Sequence, residues 1–524
     1  MQLLTDILYE NLERHPQKRV LAIKSRYRTL TWNYQDLFQF AQGIAKILEE
    51  RGVEKGDRVI LWAANSPYWI GTFFGCLLRG AIVVPMHTEN TSEFIQKVIE
   101  QTEPKLFFKS LDLEWTCAEP VECIDIDYLG TEKLLGSDLR RNNLNSFSPN
   151  VRGETPHIGE DDIAEILYTS GTTGEPKGVV LTHKGIVSNI NSIWDMIPID
   201  KNDRILSILP LSHIFEQVVE FRVLAAGAFI VYTPALSSSL IKKTLKEYRV
   251  NKMAAVPEFL KRIIARIESE AERKGKARIL AFLFSFTRII PLRVIRRIIF
   301  SNIHKQFGGK LDLIVSGGAV LDATVAKKWQ AIGVRIIQGY GLTETSSVVS
   351  LLSAGDSNIL SVGKIVPGVE IRIAEDKEIL VRGPNVTQGY YKNEVKTKEA
   401  FTDEGWFRTG DLGYLDKNGY LYIRGRKKFM ILTPAGQNVY PEDIEAELNK
   451  ESGVKDSAVV GLEKDGTILI HAELLGDIKN LEEVIARVNQ RLASFQQIQS
   501  WSVWPLEDFP RTITRKVKKH EVLD

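Results

Sequence analysis

Apolar residues recur at helical spacing from Leu37 to Leu48, and a Gly56-Asp57 turn then leads into the short apolar run Val59-Ile60-Leu61. A second helical pattern runs through Tyr68 to Leu78 and is followed by the strand-like Ala81-Ile82-Val83-Val84, closed by Pro85. Strand and helix alternation of this kind predicts parallel sheets with crossover helices. The rhythm changes after Gly363. Short runs such as Val369 to Ile373 and Glu378 to Val381, separated by Gly, Pro and Asn turns, predict a small antiparallel sheet or barrel over 363–424. A third region begins near Gly425, where the basic run Arg424-Gly-Arg-Lys-Lys428 interrupts the strands. Beyond it, Pro441-Glu442-Asp443 opens a helix with proline in its first turn and acids at its positive end. Strands over Ser457–Gly461 and Ile468–Glu473, and a helix over Leu481–Leu492, complete a small α+β unit. The expected organisation is a large region 1–427 and a small one 428–524, hinged at the basic run.

Composition narrows the class. The chain has 524 residues, 44% apolar and 26% charged, which suits several packed units. A formal charge of +2 gives no general reason to expect nucleic acid as a partner. Cys76, Cys117 and Cys123 are few, odd in number and not spaced as a zinc or redox motif, which fits a reducing cytoplasm. Asp6 interrupts the start before an apolar core of signal-peptide length can form, so secretion is not expected. No stretch reaches the roughly 20 apolar residues of a spanning helix.

The most informative stretch is Tyr168-Thr169-Ser170-Gly171-Thr172-Thr173-Gly174-Glu-Pro-Lys177-Gly178, which follows the apolar run Ile163–Leu167. Its glycines let the backbone curl so that N–H groups face an anion, and four hydroxyls and a lysine add donors. A Walker A loop needs Gly-Lys-Ser/Thr, whereas here Pro176, with no N–H to donate, precedes Lys177 and Gly178 follows it. The stretch resembles the signature loop of the adenylate-forming superfamily of acyl-CoA synthetases, peptide-synthetase adenylation domains and firefly-type luciferases. The family's further motifs follow in order along nearly the whole chain.

Ser316-Gly317-Gly318-Ala319 and Gln338-Gly339-Tyr340-Gly341-Leu-Thr343-Glu344-Thr345 are two of them. By the resemblance the first lies along adenine, Tyr340 stacks on it, Thr343 and Glu344 reach the α-phosphate, and Thr169 and Glu344 hold Mg²⁺. Glycines do permit close approach to a flat base, and a carboxylate is a suitable hard ligand for Mg²⁺. Trp406-Phe-Arg-Thr-Gly-Asp411 resembles the ribose motif, with Asp411 accepting from the ribose hydroxyls and Arg426 adding a second contact. Lys428 then corresponds to the pivot of a mobile small domain, although Phe429 stands where many relatives carry an acid. Pro510-Arg-Thr-Ile-Thr-Arg-Lys516 resembles the last motif, whose lysine bridges carboxylate and α-phosphate; Arg515 replaces the usual glycine. A carboxylate meeting a phosphate brings two anions together, and an ammonium placed between them offsets both. The implied fold is α/β: a large domain of two parallel-type αβα sheets plus a small β-barrel, then a small mobile α+β domain.

Leu209-Pro-Leu-Ser-His213-Ile-Phe215-Glu-Gln217 resembles the acid-pocket segment of long-chain fatty acyl synthetases, which implies that His213 and Phe215 shape the pocket. His213 need not act as a base, because a carboxylic acid is already ionised at neutral pH. The implied reaction joins a fatty acid to ATP as acyl-AMP, then to coenzyme A. A ligase loading an acyl carrier protein, a luciferase-like oxygenase and a non-catalytic lipid-binding relative remain alternatives. Finally, ten Lys or Arg and no acid lie between Glu272 and Asp312, interleaved with Leu280–Phe284 and Ile289-Ile290. The 273–310 segment reads either as a peripheral contact with anionic membrane or as core-packed helices with a solvated basic edge.

Overall fold

The computed structural model describes residues 1–24, 29–115, 121–129, 156–170, 175–233, 235, 237–353, 356, 358–433, 437–464, 467–512 and 517–522. Two compact units emerge, one of residues 1–370 with 382–405 and the other of 371–381 with 406–524.

The first unit holds two sheets. In the six-stranded sheet, Arg58–Trp62 lies between Ile82–Met86 and Leu106–Lys109, all parallel, and Ile163–Ser170 extends the Ile82–Met86 side. Pro176–Thr182 closes that edge antiparallel. The strand expected to stop at Pro85 continues through it to Met86, with Leu61 opposite Pro85; proline withholds one N–H but keeps an extended backbone. The larger sheet has nine strands, and its centre runs in parallel order Arg335–Tyr340, Leu313–Ser316, Lys252–Ala255, Arg204–Ser207, Phe229–Tyr232, Arg19–Lys24. Order reverses at Arg204–Ser207: the next strand in the chain lies on one side of it and the following three on the other. Ligands of open parallel sheets gather outside the strand ends at such a reversal.

Two helices join the sheets. Pro67–Arg79 starts at Ser66, whose hydroxyl accepts from Trp69 N–H, and ends at the left-handed Gly80. Ile214–Ala225 is likewise buried along most of its length, its polar Glu216, Gln217, Glu220 and Arg222 included. Phe73 and Phe74 of the first helix meet Phe221 of the second, with ring centroids of Phe73 and Phe221 5.3 Å apart, and Trp69 stacks on Phe73. The core of the larger sheet is continued by Leu260, Ile264, Trp329 and Phe307 from its flanking helices.

The second unit contains the antiparallel sheet Glu370–Ile373, Glu378–Arg382, Phe407–Leu415, Leu421–Arg426 and a three-stranded sheet built on Val454–Lys464 and Thr467–Gly476. Helix Pro441–Leu448, with Glu442 and Asp443 in its first turn, and helix Leu481–Arg491 pack on the latter through Ile444, Leu448, Ile485 and Val488.

Carboxylates are buried where the helix Ile214–Ala225 meets both sheets. Glu216 and Glu220 are held toward the neutral form by burial, and Tyr232 Oη donates to Glu220 at 2.6 Å. Glu165, wholly buried, accepts from Gln217 Nε2 at 2.9 Å, its other oxygen has no partner among the described residues, and burial pushes its carboxyl up to about 8. Unfolded, this carboxyl ionises near 4.5. Its contribution to stability is therefore full below that pH and is lost as pH rises toward about 8. Replacement Glu165→Gln removes the titration, so thermal melts should show the variant more stable than wild type by about 3 °C or more at pH 8, with the gap closing toward pH 5. A gap that does not vary with pH contradicts the assignment.

Candidate active site

Thr169 faces Lys177 and Ser170 faces Pro176 across the antiparallel pair, so the glycine- and hydroxyl-rich stretch joins two strands at the sheet edge. Gly171, Thr172, Thr173 and Gly174 lie outside the described residues. Lys177 is half-buried, its ammonium 5.8 Å from the centre of the Tyr390 ring. Tyr390 Oη donates to Glu344 Oε1 at 3.0 Å. One phenol thus links the lysine of the phosphate-binding pattern to the carboxylate proposed for the metal. Burial first, and then the carboxylate beside it, raises the Tyr390 phenol well above its ordinary range, so it stays a donor.

Tyr390 is positioned by backbone. Tyr391 N–H donates to Gly178 O at 2.8 Å and Val180 N–H to Gly389 O at 3.1 Å. Thr387 N–H donates to Glu344 O at 2.7 Å while its hydroxyl donates to Val180 O at 2.6 Å. The sequence reading missed Tyr390. Its only signal is a Tyr-Tyr pair within the turn-rich stretch Gly383–Asn393.

Thr343 and Glu344 sit in a single 3₁₀ turn, followed by two non-glycine residues with positive φ, Ser346 at 47° and Ser347 at 100°. Such conformations store roughly 1–3 kcal/mol each and persist only where neighbours fix them. Asn385 Nδ2 donates to the carbonyls of Thr345 and Val348, Asn189 Nδ2 donates to Thr345 O, and Asn189 Oδ1 accepts from Val348 N–H. Gly341 is obligatory: a Cβ there would lie 1.5 Å from Ser347 O.

Leu313–Ser316 and Arg335–Tyr340 are parallel neighbours with Ser316 opposite Gln338, so the glycine motif and the Tyr340 motif leave the sheet side by side. Gly317 is buried whereas Gly318 and Ala319 are exposed. A Cβ on Gly317 would meet the Phe215 ring at 3.0 Å, which places the segment Leu209–Gln217 against the glycine turn Ser316–Ala319. Gln338 Nε2 donates to the carbonyls of Ile359 and Ser361, so this side chain ties the strand end to the following turn. Tyr340 is half-buried, and its carbonyl accepts from Val349 N–H at 2.8 Å.

His213 precedes helix Ile214–Ala225, and its ring lies 6.0 Å from that of His87, which follows strand Ile82–Met86 of the other sheet. Burial lowers the proton affinity of His87, keeping it neutral. Asn65 fixes the segment between: its Nδ2 donates to Ser207 Oγ at 2.9 Å and Leu209 O at 2.5 Å, and its Oδ1 accepts from Leu211 N–H at 2.9 Å. Neither Asn65 nor His87 stood out in the sequence, because each acts across a separation of more than a hundred residues.

In the second unit, Asp411 and Arg426 are cross-strand partners, with Arg426 Nε 2.7 Å from Asp411 Oδ1. Asp411 is buried and its N–H donates to Thr409 Oγ1 at 3.0 Å. The Phe429 ring carries Lys428 Nζ at 4.5 Å and Lys519 Nζ at 5.5 Å, so one aromatic face meets two ammonium groups. Lys516 lies outside the described residues; its flanks Arg511 and Val517 pair antiparallel.

A family model described as AMP-binding enzyme matches residues 8–391, a span that contains Lys177, Glu344 and Tyr390. The chain belongs to the AMP-binding enzyme family. This AMP-binding enzyme is 32% identical over 436 residues to a long-chain-fatty-acid–CoA ligase of Mycobacterium bovis, covering 78% of this chain and 72% of that one. It is 28% identical over 586 residues to a chloroplastic long-chain-fatty-acid–acyl-carrier-protein ligase of Arabidopsis thaliana, covering 94% and 79%. ATP-bound MatB from Rhodopseudomonas palustris matches with a TM-score of 0.80 at 26% identity, over 99% of this chain and 98% of that one. The fold is therefore that of an adenylate-forming enzyme throughout, and the activity is that of an AMP-forming acid–thiol ligase.

The bond from Tyr390 to Glu344 yields a prediction. Hydrogen bonds to charged groups contribute about 1.5–3 kcal/mol, so Tyr390→Phe should lower the rate of acid-dependent pyrophosphate–ATP exchange about 10- to 100-fold while the melting temperature stays near wild type. A wild-type rate in the variant removes the phenol from the site.

Proposed function

We propose that this AMP-binding enzyme is a cytoplasmic long-chain fatty acid–CoA ligase that works in two half-reactions at one site. The observation that carries the reading is the approach of Lys177, Tyr390 and Glu344 beside the strand pair that bears the phosphate-binding pattern. The long-chain acid and coenzyme A are supported by the similarity to the Mycobacterium bovis ligase and by the apolar setting of His213 and Phe215.

In this reading the fatty carboxylate oxygen attacks the α-phosphorus of ATP, a new O–P bond forms, and the bond to the leaving pyrophosphate breaks. Lys177 and the stretch 169–174 hold the departing phosphates, Thr343 reaches the α-phosphate, and Lys516 sits between the two reacting anions. Gly317, Gly318 and Ala319 lie along adenine with Tyr340 stacked on it, with Gln338, Gly339 and Gly341 shaping the turn beside them. Asp411 and Arg426 hold the ribose. His213 and Phe215 shape the carboxylate end of the acid pocket.

Mg²⁺ fits the donors present. Among the described residues no three or more His, Cys, Asp or Glu are gathered. A lone half-buried carboxylate, Glu344, with the Thr169 hydroxyl and nucleotide phosphates is the sparse oxygen set this ion accepts. Bound there, the ion would supply charge neutralisation on the phosphates. In the second half-reaction the small C-terminal region turns about Lys428 and withdraws Lys516. The thiol sulfur then attacks the acyl carbon and AMP leaves. The region 428–524 is proposed as the mobile part, with 1–427 as the stationary one. We extend the reading to location: a cytoplasmic enzyme that meets its lipid substrate at an anionic membrane surface through 273–310.

Labelled pyrophosphate should exchange into ATP only when a fatty acid is present, and no exchange with any acid from C2 to C18 overturns the first step. Lys516→Ala should depress adenylation about 100-fold or more and leave thioester formation from supplied acyl-AMP within about threefold; equal losses contradict its role. Transfer to an acyl carrier protein but not to coenzyme A would reassign the acceptor.

A further inference from the structure

The basic segment forms two helices, Ala277–Arg288 and Arg293–Ile299, and both readings of it have a face there. Leu280, Leu283, Phe284 and Ile299 pack on the core of the larger sheet, and Thr287 is fully buried. Ile279, Phe282 and Phe286, spaced by three and four residues on the first helix, are instead 57%, 65% and 43% exposed. Ile289, Leu292, Val294, Ile295 and Ile298 continue the exposed series. Among the described residues, twenty large apolar side chains are exposed, and eight of them fall within 279–298. Isolated exposed apolar residues are ordinary, but a run of this density marks a contact surface.

Charge selects the occupant. Arg273, Lys276, Arg278 and Arg288 are exposed, and no acid occurs from 273 to 311. Three other arginines are held by the fold: Arg293 pairs with Asp312 at 2.7 Å, and Arg296 and Arg297 donate to backbone carbonyls. The segment is joined through Gln306 and Lys242 to an open hollow of about 640 Å³ lined by Ser238, Ser239, Lys242, Lys243, Lys246 and Arg266. Acidic protein surfaces would satisfy the cations but not a broad apolar run set among them. An anionic bilayer offers both, phosphate at the headgroups and hydrocarbon beneath. No described helix is long and apolar enough to cross a membrane, so contact is from one side.

We propose that helices Ala277–Arg288 and Arg293–Ile299 are a lipid-docking face. Ile279, Phe282, Phe286, Ile289, Leu292 and Ile298 enter the acyl boundary, while Lys276, Arg278 and Arg288 meet lipid phosphate. The inference rests on the membrane contact proposed for 273–310 and specifies that insertion, not charge alone, holds it.

The test is co-sedimentation of the full chain with vesicles of phosphatidylcholine alone or mixed with phosphatidylglycerol. Wild type should be retained on the mixed vesicles at low salt, and Phe282→Ser/Ile289→Ser/Ile298→Ser should weaken retention about tenfold or more. These side chains are exposed, so the variant's melting temperature should match wild type. Absence of wild-type retention overturns the membrane contact itself. Equal retention of wild type and variant overturns the docking face and leaves the contact standing on charge. A wild-type dimer in size-exclusion chromatography that the triple variant dissolves, without vesicle binding, assigns the face to a second copy and overturns the proposal.

Discussion

Three hydrogen bonds made by one side-chain amide tie the carboxyl end of one sheet to that of the other. Asn65 leaves the six-stranded sheet and grips Ser207, Leu209 and Leu211 where the nine-stranded sheet reverses its order. Between the sheets, the Gln217 amide on helix Ile214–Ala225 adds a second directional tie through Glu165 of the six-stranded sheet. The Asn65 grip fixes the loop that leads to His213, whose ring lies 6.0 Å from His87 of the other sheet.

Much of the fold was legible because the strands of a doubly covered sheet are short apolar runs. Strand Arg58–Trp62 and helix Pro67–Arg79 cover the runs Val59–Leu61 and Tyr68–Leu78 that apolar spacing predicts. Pro85 misled: proline usually ends a strand, but here its missing N–H is tolerated inside one. The glycine- and hydroxyl-rich motifs stand out in the sequence because their residues lie close together along the chain. What escaped were Asn65, His87, Asn189, Asn385 and Tyr390, single polar or aromatic residues whose partners are remote along the chain. No local periodicity announces them, and only the folded register shows what they touch. The 273–310 segment escaped differently. Its helices are apolar on two faces, and sequence spacing alone does not say which face the core takes.

The chemistry of acid activation sets opposing demands on the surroundings. Around the nucleotide motifs the chain gathers donors, among them Lys177 and the Tyr390 phenol held protonated by burial. Between the sheets it holds carboxylates toward the neutral form by denying them water, as at Glu165, Glu216 and Glu220. The same apolar interior that aligns the two sheets thus keeps its own acids from adding negative charge behind a site meant for anions.

The strained turn after Glu344 has a consequence for heredity. Ser346 and Ser347 hold their left-handed backbone between two clasps: Asn189, over 150 residues earlier, and Asn385, about forty residues later, both donate to Thr345 O and both bond the backbone of Val348. A change at either asparagine lets the turn relax just as surely as a change within it. Mutational drift must therefore treat these scattered positions as one unit of inheritance, and a shuffled gene that exchanges the stretch around 345 without both clasps would receive the motif's letters but not its shape.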